Sequence, residues 1–167
     1  MNSLEPAETT QYLTFKLGDE VFAFGISQVR EVLDYTNVTR IPEMPDFMLG
    51  VINLRGSVVS VVDMRLKFGM GPTQRGVNTC VVIVEIDLEG ETTVLGALAD
   101  SVQEVLNLDP EQIEPPPRIG TKVKSRFIKG MGKHGDNFII ILDIDKVFSA
   151  DELAMTLDAT QELAAAS

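Results

Sequence analysis

Three sets of residues in this chain have types and spacing that could do chemistry. The first is "GMGKHG", Gly130 to Gly135. Its Gly-x-Gly-x-x-Gly spacing is that of a turn that cradles a dinucleotide pyrophosphate. The second is "LDID", in which Asp143 and Asp145 sit two residues apart. On a strand both carboxylates would share one face and could begin a metal site. The third is the single cysteine, Cys80, and the single histidine, His134. They could form a nucleophile–base or metal pair only if the fold brings them together.

Each set has a plainer explanation in its surroundings. A dinucleotide fingerprint needs a strand before it and a helix after it, because the helix N-terminus holds the pyrophosphate. Here "FIIIL" follows, which reads as a strand. The acidic residue expected about 20 positions on would fall in a terminal helix, not at a strand end. The glycines therefore read as the bend of a β-hairpin, where they allow φ > 0. Asp143 and Asp145 have no further ligands nearby in sequence and read as a strand end with a backbone cap. Cys80 lies in "NTCVVIVEI", where a packed, inert thiol is expected. No serine stands in a Gly-x-Ser-x-Gly elbow. Nothing assembles a nucleophile, base and oxyanion hole, so the expectation is a binding protein without catalytic residues, cofactor or metal.

Length and charge narrow the class. The chain has 167 residues, which suits one domain or two small ones around a shared core. A chain of this size buries roughly 70% of its unfolded surface and needs no staples. The net charge of −11 repels phosphate backbones, so nucleic acid is not an expected partner. "MNSLEPAETTQ" has neither a basic start nor an apolar run and does not read as a signal peptide. No window approaches the roughly 20 apolar residues of a membrane span. A soluble, cytoplasmic protein with no direct membrane insertion is the expectation.

The elements that must position any site are short. Residues 1–10 read as a loose tail. "YLTFKL" and "EVFAFG" alternate in polarity around Gly-Asp and predict a hairpin. "ISQVREVL" changes period. Ile26, Val29 and Leu33 would share one face of a short helical turn, with Val32 at its edge and Glu31 nearly opposite. "PEMPDFMLG" is a proline-broken connection. "GVINLRGSVVSVVDM" predicts a second hairpin around "NLRG". "NTCVVIVEI" reads as a fully buried strand and turns through "DLEG" into "ETTVLGALA". "DSVQEVL" predicts another helical turn. "RFIKGMGKHGDNFIIILDI" predicts a hairpin with glycines at its tip, and residues 151–167 a terminal helix with Asp151 as its N-cap.

The two halves repeat each other. "SQVREVL" aligns with "DSVQEVL", matching Val29 with Val102, Glu31 with Glu104 and Leu33 with Leu106. "SVVSVVDMRLKF" aligns with "NFIIILDIDKVF", matching Asp63 with Asp143 and Phe68 with Phe148. Two copies of one β-unit are predicted, at about 11–75 and 76–150. In this register "GMGKHGDN" falls on "NLRGSV", the bend of the other hairpin.

"YLTFKLGDEVFAFGISQVREVL", "NVTRIPEMPDFMLGVINLRGSVVSVVDMRLKF" and "GALADSVQEVLNLDPEQIEPPP" together resemble the CheW family of bacterial chemotaxis coupling proteins, from about residue 11 to 150. The resemblance implies an all-β fold with short helices. It would comprise two SH3-like, five-stranded β-barrel subdomains around a shared hydrophobic core, plus a C-terminal helix. It implies an adaptor that joins the cytoplasmic tip of transmembrane chemoreceptors to the histidine kinase CheA, through the kinase's regulatory domain, in arrays at the inner face of the membrane. A CheW-type adaptor of a surface-motility or other non-flagellar kinase pathway would have the same fold and physics.

By matching positions, the resemblance assigns Ile26, Val29, Glu31, Val32, Val102 and Val105 to a receptor-binding groove between the barrels. It also assigns Arg55 to receptor contact and Gly50 to kinase contact. Read without it, each of the four valines serves equally well as core, because a surface element on a small barrel must bury one face. Arg55 alone would be a solvated arginine at a hairpin tip.

Overall fold

The computed structural model describes residues 10–88, 90–116 and 127–148. Residues 1–9 of the expected N-terminal tail (1–10) and the expected C-terminal helix (151–167) lie outside them, and Thr10, counted with the tail, is the first residue of the first strand. The elements in chain order are β1 (Thr10–Leu17), β2 (Glu20–Gly25), a 3-10 turn (Ile26–Gln28), β3 (Val29–Asp34), β4 (Met48–Leu54), β5 (Ser57–Asp63) and α1 (Met64–Lys67). After these come β6 (Cys80–Leu88), β7 (Glu91–Ala99), β8 (Ser101–Leu108), a 3-10 turn (Pro110–Gln112), β9 (Ile113–Glu114), β10 (Ile128–His134), β11 (Asn137–Leu142) and α2 (Ile144–Val147). The fold is all-β with short helices, as expected.

The strands form two sheets, in the orders β3-β6-β7-β5-β4 and β8-β1-β2-β11-β10-β9. Apart from the two-residue β9, the orders correspond strand for strand. Each sheet contains one parallel pair, β5 with β7 and β11 with β2. The sequence repeat is thus a structural repeat. Its division at about residue 75 does not divide the sheets, however. The hairpin β1–β2 of the first copy completes the second sheet, and β6–β7 of the second copy completes the first. Each copy lends its leading hairpin to the other, which ties the halves into one unit.

Strand alternation explains the long apolar runs. Along β6, Val82 and Val84 face a core shared by both sheets, while Val81 and Ile83 face a separate cluster with Val59, Val61 and Leu98. Along β11, Ile140 and Leu142 join the shared core, while Ile139 and Ile141 join a third cluster with Tyr12 and Leu108. Strands buried on both faces have no polar side, hence the unbroken runs. Phe15, Phe22 and Phe24 fill the shared core from one sheet. The Phe22 ring stacks on Phe68 at 5.9 Å, and Phe68 meets Phe127 at 6.0 Å.

Repeat-related residues do the same work. Asp63 caps α1 by accepting from the amides of Arg65 and Leu66, and Asp143 caps α2 by accepting from Lys146. Phe68 and Phe148 end the two helices and are buried in the shared core. Asp143 is therefore a cap, as expected. Asp145 belongs to α2 and does not share a strand face with it.

The segments predicted as helical turns, "ISQVREVL" and "DSVQEVL", are strands apart from the 3-10 turn at Ile26–Gln28. The misleading signal was the i, i+3 spacing of their valines, and a β-bulge accounts for it. In β3, Val29 opposes Val84 and Val32 opposes Val82, with a shift between Val29 and Glu31. In β8, Val102 opposes Phe15 and Val105 opposes Leu13, again with one extra residue. Directly opposed residues share a face. One inserted residue therefore puts positions i and i+3 on the same side of a strand. Leu33, expected beside Val29, opposes Val81 and faces the other way.

The "GMGKHG" stretch lies in a hairpin, but only its last glycine is at the bend. The bend is Gly135-Asp136, and Gly135 has φ +64°. Gly130 and Gly132 are inside β10 and are small for a packing reason. A Cβ on Gly132 would sit 2.8 Å from Leu108 Cδ1, and one on Gly130 2.6 Å from Ile113 Cγ2. Gly132→Val should therefore lower stability by about 1–3 kcal/mol through overpacking. Thermal unfolding checks this, and a parent-like melting temperature would show that the sheet interior has room.

Candidate functional site

β3 and β8 are each the end strand of their sheet, so each has one unpaired backbone edge. A cleft of about 370 Å³ lies between them, lined by Val32, Asp34, Val77, Asn78, Cys80, Ser101, Val102 and Gln103. The bulges put Val29 with Val32 and Val102 with Val105 on one face of each strand, and of these Val32 and Val102 line the cleft. Val32 is 42% exposed and Val105 is 48% exposed. Ile26, Val29 and Val102 are partly buried and pack against the shared core. The even choice between core and groove thus divides residue by residue. Ile26 and Val29 pack on the core, Val102 does so while lining the cleft, and Val32 and Val105 stand about half exposed. Val77 is fully exposed at the rim. Solvent-exposed valines beside an unpaired strand edge are groups a partner would cover.

Cys80 opposes Asp34 across β3 and β6 and lines the same cleft. The thiol is largely buried, and burial pushes its pKa up. It is therefore protonated and a poor nucleophile. His134 ends β10 in the other sheet. Among the described residues no group of three or more His, Cys, Asp or Glu side chains could hold a metal ion. None of their helices is long and apolar enough to cross a membrane.

Glu31 and Arg55 meet on the opposite face of β3. The Arg55 guanidinium donates two hydrogen bonds to the Glu31 carboxylate, Nη1 to Oε2 at 2.8 Å and Nη2 to Oε1 at 2.7 Å. Arg55 is thus a forked pair with Glu31, not the free arginine its position at a hairpin tip suggested. Its hydrogen bond holds the Glu31 carboxyl below the ordinary value. The pair is complete above the usual carboxylate range and is lost only as pH falls through that lowered value. Arg55 and Gly56 form the β4–β5 bend with φ +52° and +89°. Asn53 Oδ1 accepts from the Gly56 amide at 2.8 Å and supports the bend. An arginine with positive φ is uncommon, so the backbone gains nothing from this residue type. The side chain is what the position uses. With Arg30, Leu54 and Val94 the pair lines a second hollow of about 250 Å³.

Gly50 is buried in β4. Its φ is +147°, and a Cβ would overlap the Thr39 carbonyl oxygen and lie 2.8 Å from Val38 Cγ1. The close approach allows Thr39 and Val51 to exchange backbone hydrogen bonds at 2.9 and 2.8 Å. Gly50 therefore holds residues 38–39 against the sheet edge and presents no side chain.

Two sheets joined by exchanged hairpins thus leave an open cleft between bulged edges, with no catalytic set among the described residues. In comparison with known sequences, the CheW-like domain model matches residues 11–152. The chain belongs to the CheW-like family of chemotaxis scaffold proteins. It is 36% identical over 145 residues to the chemotaxis protein CheW of Klebsiella aerogenes, covering 87% of this chain and 85% of that one. It is 30% identical over 142 residues to the probable chemotaxis protein CheW of Rhizobium etli, covering 85% and 89%. The solved structure of scaffolding protein TtCheW from Thermoanaerobacter tengcongensis superposes with a TM-score of 0.77 at 33% identity, covering 86% of this chain and 90% of that one.

Proposed function

We propose that this chain is a non-catalytic adaptor that joins the cytoplasmic tip of transmembrane chemoreceptors to the regulatory domain of the histidine kinase CheA. It would work in arrays at the inner face of the membrane. The observation that carries this is the pair of exposed valines on matched bulged edges: Val32 lines the cleft, and Val105 shares the β8 face of Val102, which also lines it. An amphipathic helix placed there would cover them with apolar positions spaced at i, i+3 and i+4. Glu31 and Arg55, on the far face of β3, give the receptor a polar contact beyond the cleft. Kinase contact involves residues 38–39, which Gly50 holds in place.

Co-sedimentation with receptor-bearing membranes, with and without CheA, tests the proposal. The chain should pellet with receptor alone and more completely with both. A chain that stays in the supernatant in both cases would refute the coupling role. Arg55→Ala should leave the melting temperature unchanged, because the guanidinium is solvent-exposed. It should weaken receptor capture roughly five- to tenfold, as for one well-placed interface residue. Unfolding of this variant would make Arg55 structural.

A further inference from the structure

The bulge in β8 is held from inside the sheet by one hydroxyl. Thr14 on β1 is only 1% exposed. It stands between the Leu13–Val105 and Phe15–Val102 pairs. Its Oγ1 donates to the Glu104 carbonyl at 2.7 Å and accepts from the Glu104 amide at 3.1 Å. Both backbone groups of Glu104, inside the bulge, are thus bonded to a single side chain. In the other sheet the corresponding position is Ile83, which opposes Glu31 and has no polar atom. Beside the β3 bulge there are instead two exposed ion pairs, Arg30–Glu85 at 3.1 Å and the Arg55–Glu31 fork. A buried hydroxyl is costly without a partner, and this one bonds to the backbone that turns Val102 and Val105 onto one face.

We infer that Thr14 is a positioning residue for partner binding: its hydroxyl fixes the β8 bulge and so sets Val105 on the same face as the cleft-lining Val102. The inference rests on the cleft being the receptor site. Thr14→Val keeps the volume and removes the hydroxyl, and Thr14→Ser keeps the hydroxyl. Three measurements on the full chain are sufficient: amide hydrogen exchange at Glu104, capture by chemoreceptor-bearing membranes, and capture by CheA. Thr14→Val should exchange the Glu104 amide roughly five- to tenfold faster, the loss expected for one hydrogen bond. It should weaken receptor capture by a similar factor and leave CheA capture unchanged, and Thr14→Ser should restore both. Should Thr14→Val lack a cooperative melt, Thr14→Ala carries the same readouts without adding a buried methyl group. Unchanged Glu104 exchange would overturn the inference. So would faster exchange with parent-like receptor capture, provided Val105→Asp loses capture. If Val105→Asp itself retains capture, the cleft is not the receptor site, and the role of Thr14 in binding falls with it.

Discussion

Gly50→Ala should destabilise the protein by about 2–4 kcal/mol, combining an unfavourable backbone region with overlap. The added methyl meets the Thr39 carbonyl, which is backbone and engaged with Val51, so no side-chain rotation relieves it. Relief requires residues 38–39 to leave the β4 edge, which breaks both Thr39–Val51 hydrogen bonds. Gly25 supplies the control. It has no positive φ and no atom within 4 Å of a built Cβ, so Gly25→Ala should melt close to the parent. Denaturant unfolding of the pair checks the contrast. Kinase capture should fall in the Gly50 variant even where it remains folded, because the displaced segment is the proposed contact. Equal stability of the two variants would remove the structural role assigned to Gly50.

Val105→Asp and Val32→Asp should abolish receptor capture while the protein stays folded. Both side chains are about half exposed in the free protein, so a carboxylate there keeps its water. A bound helix would strip that water without supplying a partner, a penalty of several kcal/mol, or a loss of at least about a hundredfold in affinity. Val29→Asp should behave differently. Val29 packs against the shared core, so its carboxylate would be largely desolvated in the folded state. It should cost stability before any partner is added. Circular dichroism melts with a receptor pull-down separate these outcomes. If Val105→Asp unfolds like Val29→Asp, the exposed wall of the cleft is core and the site is lost.

Much of this architecture was legible in the residues. Alternation announced β1 and β2, the unbroken run announced β6, and the repeat matched Asp63 and Phe68 with Asp143 and Phe148, though it did not announce the short helices they bound. The bulged strands were not legible. Val29 with Val32, and Val102 with Val105, carry helical spacing whether the backbone is helical or bulged. Only the opposing residues Val84 and Val82, or Phe15 and Leu13, distinguish the two. Hairpin exchange was hidden for a related reason: local periodicity says which face of a strand is buried, not which distant strand lies beside it. The fork between Arg55 and Glu31 spans 24 residues and has no local signature. Gly50 and Gly132 were visible as glycines, but their reasons lie in Thr39 and Leu108, which are remote in sequence.

The central claim is that one cleft, between the bulged edges β3 and β8, receives the receptor. Amide hydrogen exchange of the full chain with and without receptor-bearing membranes tests it most directly, because it reports location as well as binding. Protection should appear at residues 29–33 and 101–106 and be absent around Phe138, an exposed aromatic near the start of β11. Protection centred on Phe138 and His134, with residues 29–33 and 101–106 exchanging as in the free protein, would contradict the account.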